Sequence, residues 1–266
     1  MSLLNVALVQ LCSGRDIGKN LDTIEALLES QLPKNTDLLV LPECFARMRG
    51  NMAELGQDAG RICHWMTEIA QKHQCWLVGG STPVFHESQG KSDAACFVYD
   101  PQGNERACYN KIHLFDVSLE DKVGHYRESN DYIPGSETVV VDIGKAKLGL
   151  SICYDLRFPE LYRELVAQGA DILCVPSAFT QVTGEAHWEP LLRARAIENQ
   201  CYVLAANQGG QHSKLRETYG HSMVISPWGE IMARAGKEPA LITAELNMDS
   251  LRQIREQLPC LEHRRR

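Results

Sequence analysis

The sequence has no CxxC pair, no HExxH, no GxxxxGK[ST], and no glycine-rich turn after its first apolar run. The first two absences remove the usual spacings of zinc and dithiol sites, and the last two remove the phosphate cradles of nucleotide-binding folds. No apolar stretch approaches the roughly 18 residues of a membrane span. Positive charge is also scarce. Lys plus Arg number 27 against 34 Asp plus Glu, for a formal charge of −7. That balance argues against a nucleic-acid or anionic-membrane partner, either of which needs a net or clustered positive field. The only basic run, Arg264-Arg265-Arg266, reads as a solvated end. Residues 1–10 carry no basic n-region and only a short apolar run, so they do not form a signal peptide. These features predict a cytoplasmic protein.

With 266 residues, 44% of them hydrophobic, the chain can bury a large core without staples. It has ten cysteines spread along its length. Cys75, Cys96 and Cys174 sit in apolar runs and read as small buried thiols of a reduced compartment.

Periodicity divides the chain into two similar halves. Residues 3–10 read as a strand. Asn20 is placed to cap a helix whose Leu21, Ile24, Leu27 and Leu28 share one face. Residues 37–41 form a short apolar run stopped by Pro42. Ile62, Trp65, Met66, Ile69 and Ala70 mark a second helix, and residues 75–82, 94–100 and 105–110 read as strands. The second half begins with a strand at 138–143 and then repeats the order. Strands are expected at 147–152, 171–175 and 201–206, and helices at 160–168 and 188–198. A hairpin over 222–226 and 230–234, a strand at 240–246 and a helix at 249–257 capped by Asp249 complete it. Helix-separated strands imply parallel pairing with helices on a sheet face. Two such halves can pack as a four-layer α-β-β-α sandwich or merge into one doubly wound sheet, and periodicity does not separate these.

Reactive groups collect at the strand ends, where open parallel sheets place their sites. Glu43 follows the strand at 37–41, Lys111 the strand at 105–110, and Cys153 the strand at 147–152. Taken singly, each has a plain structural explanation: an exposed acid, a snorkelling lysine and a buried thiol. Taken together they are an acid/base, a cation and a nucleophile.

The surrounding residues carry more information. The cysteine lies in Leu150-Ser151-Ile152-Cys153-Tyr154-Asp155-Leu156-Arg157-Phe158-Pro159-Glu160-Leu161. The glutamate lies in Leu39-Val40-Leu41-Pro42-Glu43, and the lysine in Tyr109-Asn110-Lys111-Ile112-His113-Leu114-Phe115. In these three motifs and their order the chain resembles the nitrilase (carbon–nitrogen hydrolase) superfamily over nearly its whole length. The resemblance implies the α-β-β-α sandwich, with residues 1–260 as one hydrolase domain and 261–266 as a basic tail. It also implies a Cys-Glu-Lys catalytic set, hydrolysis of a non-peptide C–N bond without metal or organic cofactor, and a homodimer built on the helices at 160–168 and 188–198.

Under that resemblance Cys153 is the nucleophile and Glu43 the general base. Lys111 stabilises the oxyanion together with the backbone N–H of Tyr154, and a thioester acyl-enzyme then falls to water. The segment Tyr126-Arg127-Glu128-Ser129 before Tyr132-Ile133-Pro134-Gly135 is similar to the family's second-glutamate segment. It gives Glu128 the task of orienting Lys111, the substrate or the water, with Glu120 and Asp121 as neighbouring competitors. The stretches Ala186-His187-Trp188, 193–198 and 207–222 are similar to the eukaryotic-type amidase branch and its bacterial relatives. That branch implies a small carboxylate-bearing amide as substrate, first deaminated glutathione and second α-ketoglutaramate or α-ketosuccinamate. Arg157 is then the candidate to grip a carboxylate, or else the partner of Asp155 or Glu160 in an ion pair. Thr183 and His187 are candidate pocket residues, and His113 is expected to be a structural histidine. A catalytically inactive binding scaffold is the alternative from another class.

Overall fold

Alternate residues of strand β1 (Leu3–Gln10) face two different cores. Leu4, Val6 and Leu8 join one apolar cluster, while Ala7 and Val9 join another. This is the period of two of an extended chain covered on both faces. The computed structural model describes residues 2–48 and 56–265; Met1 and the last tail residue, Arg266, lie outside them.

The first half supplies β1, helix α1 (Ile17–Gln31), β2 (Leu38–Val40), α2 (Ala59–His73), β3 (Trp76–Val78), β4 (Thr82–His86), β5 (Lys91–Tyr99) and β6 (Glu105–Asn110). Short elements follow: a ribbon of β7 (Asp116–Ser118) and β8 (His125–Arg127), then β9 (Tyr132–Ile133). The second half runs β10 (Val140–Asp142), β11 (Lys147–Leu150), α3 (Pro159–Ala167), β12 (Ile172–Cys174), α4 (Gln181–Asn199) and β13 (Tyr202–Ala205). A ribbon of β14 (Gly209–Gln211) and β15 (Glu217–Tyr219) comes next. Then come β16 (Met223–Ile225), β17 (Ile231–Arg234), β18 (Ala240–Asn247) and α5 (Met248–Gln257).

The strands form two main sheets, ordered β18-β1-β2-β3-β5-β4, with β6 and β9 also on β5, and β10-β11-β12-β13-β16-β17. Within each, the three central strands are parallel. One large core joins Leu4, Val6, Leu38, Val40, Val78 and Val98 of the first sheet to Leu148, Leu150, Ile172, Val203 and Leu204 of the second. The second core packs Ala7, Val9, Leu39 and Leu77 against Ile24 and Leu28 of α1 and Ile62, Met66 and Ile69 of α2. Sheet therefore lies on sheet with helices outside, the four-layer α-β-β-α sandwich.

Several boundaries differ from the sequence expectations, each for a local reason. Helix α1 is capped by Asp16, whose carboxylate accepts from Lys19 N. Asn20 lies inside that helix, buried, and its amide ties Gly14 to Ala46. Helix α5 is likewise capped by Asn247, whose side chain accepts from Asp249 N and Ser250 N. The expected strand at 75–82 is broken at Gly80, with φ of +52°; a Cβ there would lie 2.0 Å from the Pro42 carbonyl oxygen. Glycine at this point lets the turn before Glu43 press against the strand end. Helix α4 begins earlier than expected, capped by Thr180, and runs through Pro190. Strand β18 leaves the second half and pairs antiparallel with β1 along its full length.

Candidate active site

Three strand ends converge at one edge of the seam between the sheets. Beyond β2 the chain is held by Leu41 N on Val78 O, and Cys44 N donates to Ser81 Oγ. Gln208 Nε2 donates to the Glu43 carbonyl at 3.0 Å and to Ser13 Oγ at 2.7 Å. The backbone of Glu43 is thus fixed by residues from both halves. Beyond β6, Lys111 N donates to Ala94 O, and Lys111 O accepts from Gly135 N. Beyond β11, Ser151 N donates to Cys174 O and Cys153 N to Pro176 O, so the turn leans on the end of neighbouring strand β12.

Cys153 opens a short 3-10 turn (Cys153–Arg157) with a φ of +49°. A residue with a side chain is strained there, by about 1–3 kcal/mol. Asp155 holds the turn in that state. It is fully buried and accepts from Ile152 N at 2.8 Å, Tyr109 Oη at 2.7 Å and His113 N at 3.0 Å. His113 Nδ1 lies 2.7 Å from the same carboxylate, and its ring stacks on Phe158 at 3.6 Å. His113 is therefore a wall piece of the turn, the structural histidine expected of a mechanism that already has a base. Neighbouring amides are spent within the turn, Asp155 N on Ile152 O, but the Tyr154 amide has no acceptor among the described residues.

The side chains meet in a buried cluster. Lys111 is 1% exposed, Glu43 6% and Cys153 8%. Lys111 Nζ donates to Glu43 Oε1 at 2.9 Å and to both oxygens of Glu128 at 2.9 Å. Phe115 N donates to Glu128 Oε2, which fixes that carboxylate from the other side. Of the acids near Glu128, Asp121 is occupied by the amides of Val123 and Gly124 and the Tyr126 hydroxyl, and Glu120 is exposed.

Burial dominates the electrostatics. It raises the Cys153 thiol well above the ordinary cysteine range, the Glu43 charge adds to this, and Lys111 opposes it. Burial alone would lower the Lys111 ammonium, but Glu128 and Glu43 together hold it well above the usual lysine value. Glu128 is raised above a normal glutamate, first by burial and then by Glu43, against the pull of Lys111. Burial pushes the neighbouring Cys44 thiol up to about 12. Burial beside the Glu43 carboxylate favours the neutral thiol at rest, against the pull of Lys111.

The cluster forms the floor of a cavity of about 290 Å³. Its walls include Phe115, Tyr126, Tyr154, Phe179, Thr183, Arg157 and Arg216. Arg157 makes no ion pair with Asp155 or Glu160 among the described residues. Its guanidinium instead lies 5.8 Å from the Tyr154 ring centre and 5.6 Å from that of Phe179. Thr183 is buried on the wall, its hydroxyl against Thr180. His187 is exposed and outside the lining, with Nδ1 3.4 Å from both terminal nitrogens of Arg157. Thus Cys153, Glu43, Lys111, Glu128, Tyr154, Arg157 and Thr183 share one cavity, and His187 stands behind Arg157. Sequence reasoning missed Gln208, the tie on Glu43, and Arg216, at the end of the β14–β15 loop. The only signal for either was its place in the stretch 207–222. No group of three or more His, Cys, Asp or Glu side chains among the described residues is arranged to hold a metal ion.

This arrangement can attack a carbonyl with sulfur, move a proton through a carboxylate and receive an oxyanion on an ammonium and an amide. Comparison with known proteins points the same way. The carbon-nitrogen hydrolase family model matches residues 5–256. The chain is 43% identical over 271 residues to the deaminated glutathione amidase of Yersinia enterocolitica, covering 100% of this chain and 94% of that one. It is 36% identical over 269 residues to an omega-amidase of Xenopus laevis, covering 100% and 96%. The crystal structure of the C. elegans NitFhit protein superposes with a TM-score of 0.92 at 40% identity, over 99% of this chain and 65% of that longer one.

Proposed function

The chain belongs to the carbon-nitrogen hydrolase family, and on that footing we infer that it is a cysteine-dependent amidase cutting deaminated glutathione into 2-oxoglutarate and Cys-Gly. The observation that carries this reading is the meeting of Cys153, Glu43 and Lys111 in one cavity with arginines on its wall. A dicarboxylate amide matches that wall, since guanidinium groups grip carboxylates bidentately.

The reaction follows from the cluster. The raised thiol is protonated at rest, so Cys153 attacks as Glu43 takes its proton. The carbonyl oxygen gathers negative charge against Lys111 Nζ and the Tyr154 amide. Glu43 returns the proton to the leaving nitrogen as the C–N bond breaks, and Cys-Gly departs as the amine. Water enters, gives a proton to Glu43 and attacks the thioester. A second tetrahedral intermediate collapses to the acid, and the thiol is restored. Glu128 keeps Lys111 charged and aimed throughout.

Similarity to the Xenopus omega-amidase supports a second reading, in which α-ketoglutaramate is the substrate and ammonia leaves. The test is release of 2-oxoglutarate from both compounds, with ammonia release from glutamine and a simple nitrile as comparisons and a Cys153→Ala variant as blank. Preference for deaminated glutathione is the expected result and fits repair of a metabolic side product. Preference for α-ketoglutaramate would move the substrate and keep the mechanism. No turnover of either would overturn the reading and leave a binding role.

We also propose a cytoplasmic homodimer. Ten free thiols accord with a reduced compartment, and no helix among the described residues is long and apolar enough to cross a membrane. Val182 and Ile197 on α4, with Trp228 and Met232 nearby in sequence to the β16–β17 turn, are exposed apolar residues suited to an interface with α3 and α4. Light scattering on the eluting protein distinguishes a 60 kDa-class particle from the 29.8 kDa chain.

A further inference from the structure

Arg216 lines the cavity, and the reaction above gives it no task. Its Nη2 donates to the Ala178 carbonyl at 3.1 Å, and its guanidinium carbon lies 5.0 Å from the Tyr126 ring centre. Its Nε is buried and has no hydrogen-bond partner among the described residues. Asp121, whose carboxylate feels the Arg216 charge, spends its oxygens on Val123 N, Gly124 N and the Tyr126 hydroxyl, and makes no ion pair with Arg216 among the described residues. A buried guanidinium donor left unpaired at a cavity wall is costly unless something polar arrives to meet it.

Its position says which end of the substrate arrives there. Ala178, whose carbonyl holds Arg216, is the residue whose amide lies against the Cys153 sulfur. Arg216 is also close enough to Cys44, the residue after Glu43, for its charge to act on that thiol. It lines the cavity together with Cys44 and Glu43, the base that protonates the leaving nitrogen. Arg157 stands by Tyr154 and Phe179 instead. A dipeptide leaving group reaches roughly 7 Å from its nitrogen to its carboxylate.

We propose that Arg216 is a specificity-determining residue that binds the terminal carboxylate of the leaving group, while Arg157 faces the acyl side. This rests on the amidase reading above. It separates substrates whose leaving group ends in a carboxylate from those that release only ammonia. The site rewards a Cys-Gly amide at Arg216 and gains nothing there from a primary amide.

The experiment compares kcat/KM for deaminated glutathione, for the same compound with its glycine carboxylate converted to an amide, and for α-ketoglutaramate. Wild type, Arg216→Ala and Arg216→Gln are measured. Glutamine retains a donor for Ala178 O, so it keeps the loop tied if alanine loosens it. Loss of one charge-assisted contact corresponds to about 10- to 100-fold. The ratio of kcat/KM for deaminated glutathione over α-ketoglutaramate is expected to fall by about that factor in both variants. The wild-type preference for the free carboxylate over its amide should vanish with it. Equal losses on all three compounds, or a variant that still prefers the carboxylate, would overturn the proposal and leave the amidase reading standing. A wild-type protein that cleaves none of the three overturns both.

Discussion

Tyr109 donates a 2.7 Å hydrogen bond to Asp155 across the seam between the two sheets. Tyr109 lies two residues before Lys111, and Asp155 two residues after Cys153. This contact, together with the two that His113 makes to the same carboxylate, sets the spacing between the cation of one half and the thiol of the other. Tyr109→Phe removes it while Asp155 keeps Ile152 N and His113. Losing one buried charge-assisted bond is expected to cost about 1.5–3 kcal/mol of stability. The kcat should fall further than KM rises, because the reacting groups separate. Thermal melting and steady-state kinetics check both; an unchanged kcat would remove this contact from the positioning machinery.

Replacing Cys153 separates chemistry from strain. Cys153→Ala should abolish turnover and keep the fold. Cys153→Gly should be equally inactive yet at least as stable as the alanine variant, because the position has a φ of +49°. Melting temperatures of the two variants decide it. A glycine variant clearly less stable than alanine would mean the turn is not strained.

Glu43→Gln should lower turnover by about 100-fold or more, the usual scale of a lost general base. The same change should make the thiol easier to ionise. Glu43 raises the Cys153 thiol, and Lys111 remains to favour the thiolate. The pH profile of Cys153 alkylation should therefore shift to lower pH in the variant. A shift to higher pH would show that the carboxylate does not oppose ionisation of the sulfur.

Lys111→Met leaves Glu43 and Glu128 buried together without their cation. Breaking a buried pair in this way costs about 3–5 kcal/mol. Glu128 is already raised above its unfolded value, and the variant raises it more. A raised carboxylate is stabilising below its unfolded value, and that contribution is lost as pH rises through the folded one. The gap in melting temperature between variant and wild type should widen from pH 5 to pH 8. A gap that narrows would mean the carboxylates find another partner.

Elements were legible in the sequence wherever burial set the period. The residues of β1 and the stripe from Ile62 to Ala70 are apolar at the spacing of the surface they cover, so both appeared in place. Caps were harder, because Asp16 and Asn20 offer the same chemistry within one turn. Only the tertiary contact of Asn20 with Ala46 decides between them. The break at Gly80 was hidden because its cause, the Pro42 carbonyl, is distant in sequence. The site followed the same rule. Cys153, Glu43 and Lys111 end strands and sit in recognisable runs, whereas Arg216 closes an irregular loop and is defined by what it fails to bond.

The pairing of β18 with β1 sets a timetable for synthesis. Strand β1 is made before every other strand of the two sheets, yet its antiparallel neighbour is more than two hundred residues away, between Leu3 and Asn247 at one end of the ladder. Until that stretch is made, β1 has β2 on one side and an open edge on the other. The first sheet therefore closes only after β18 has been made. A nascent or truncated chain lacking β18 should hold a half-finished sheet and depend on chaperones to keep that edge from pairing elsewhere.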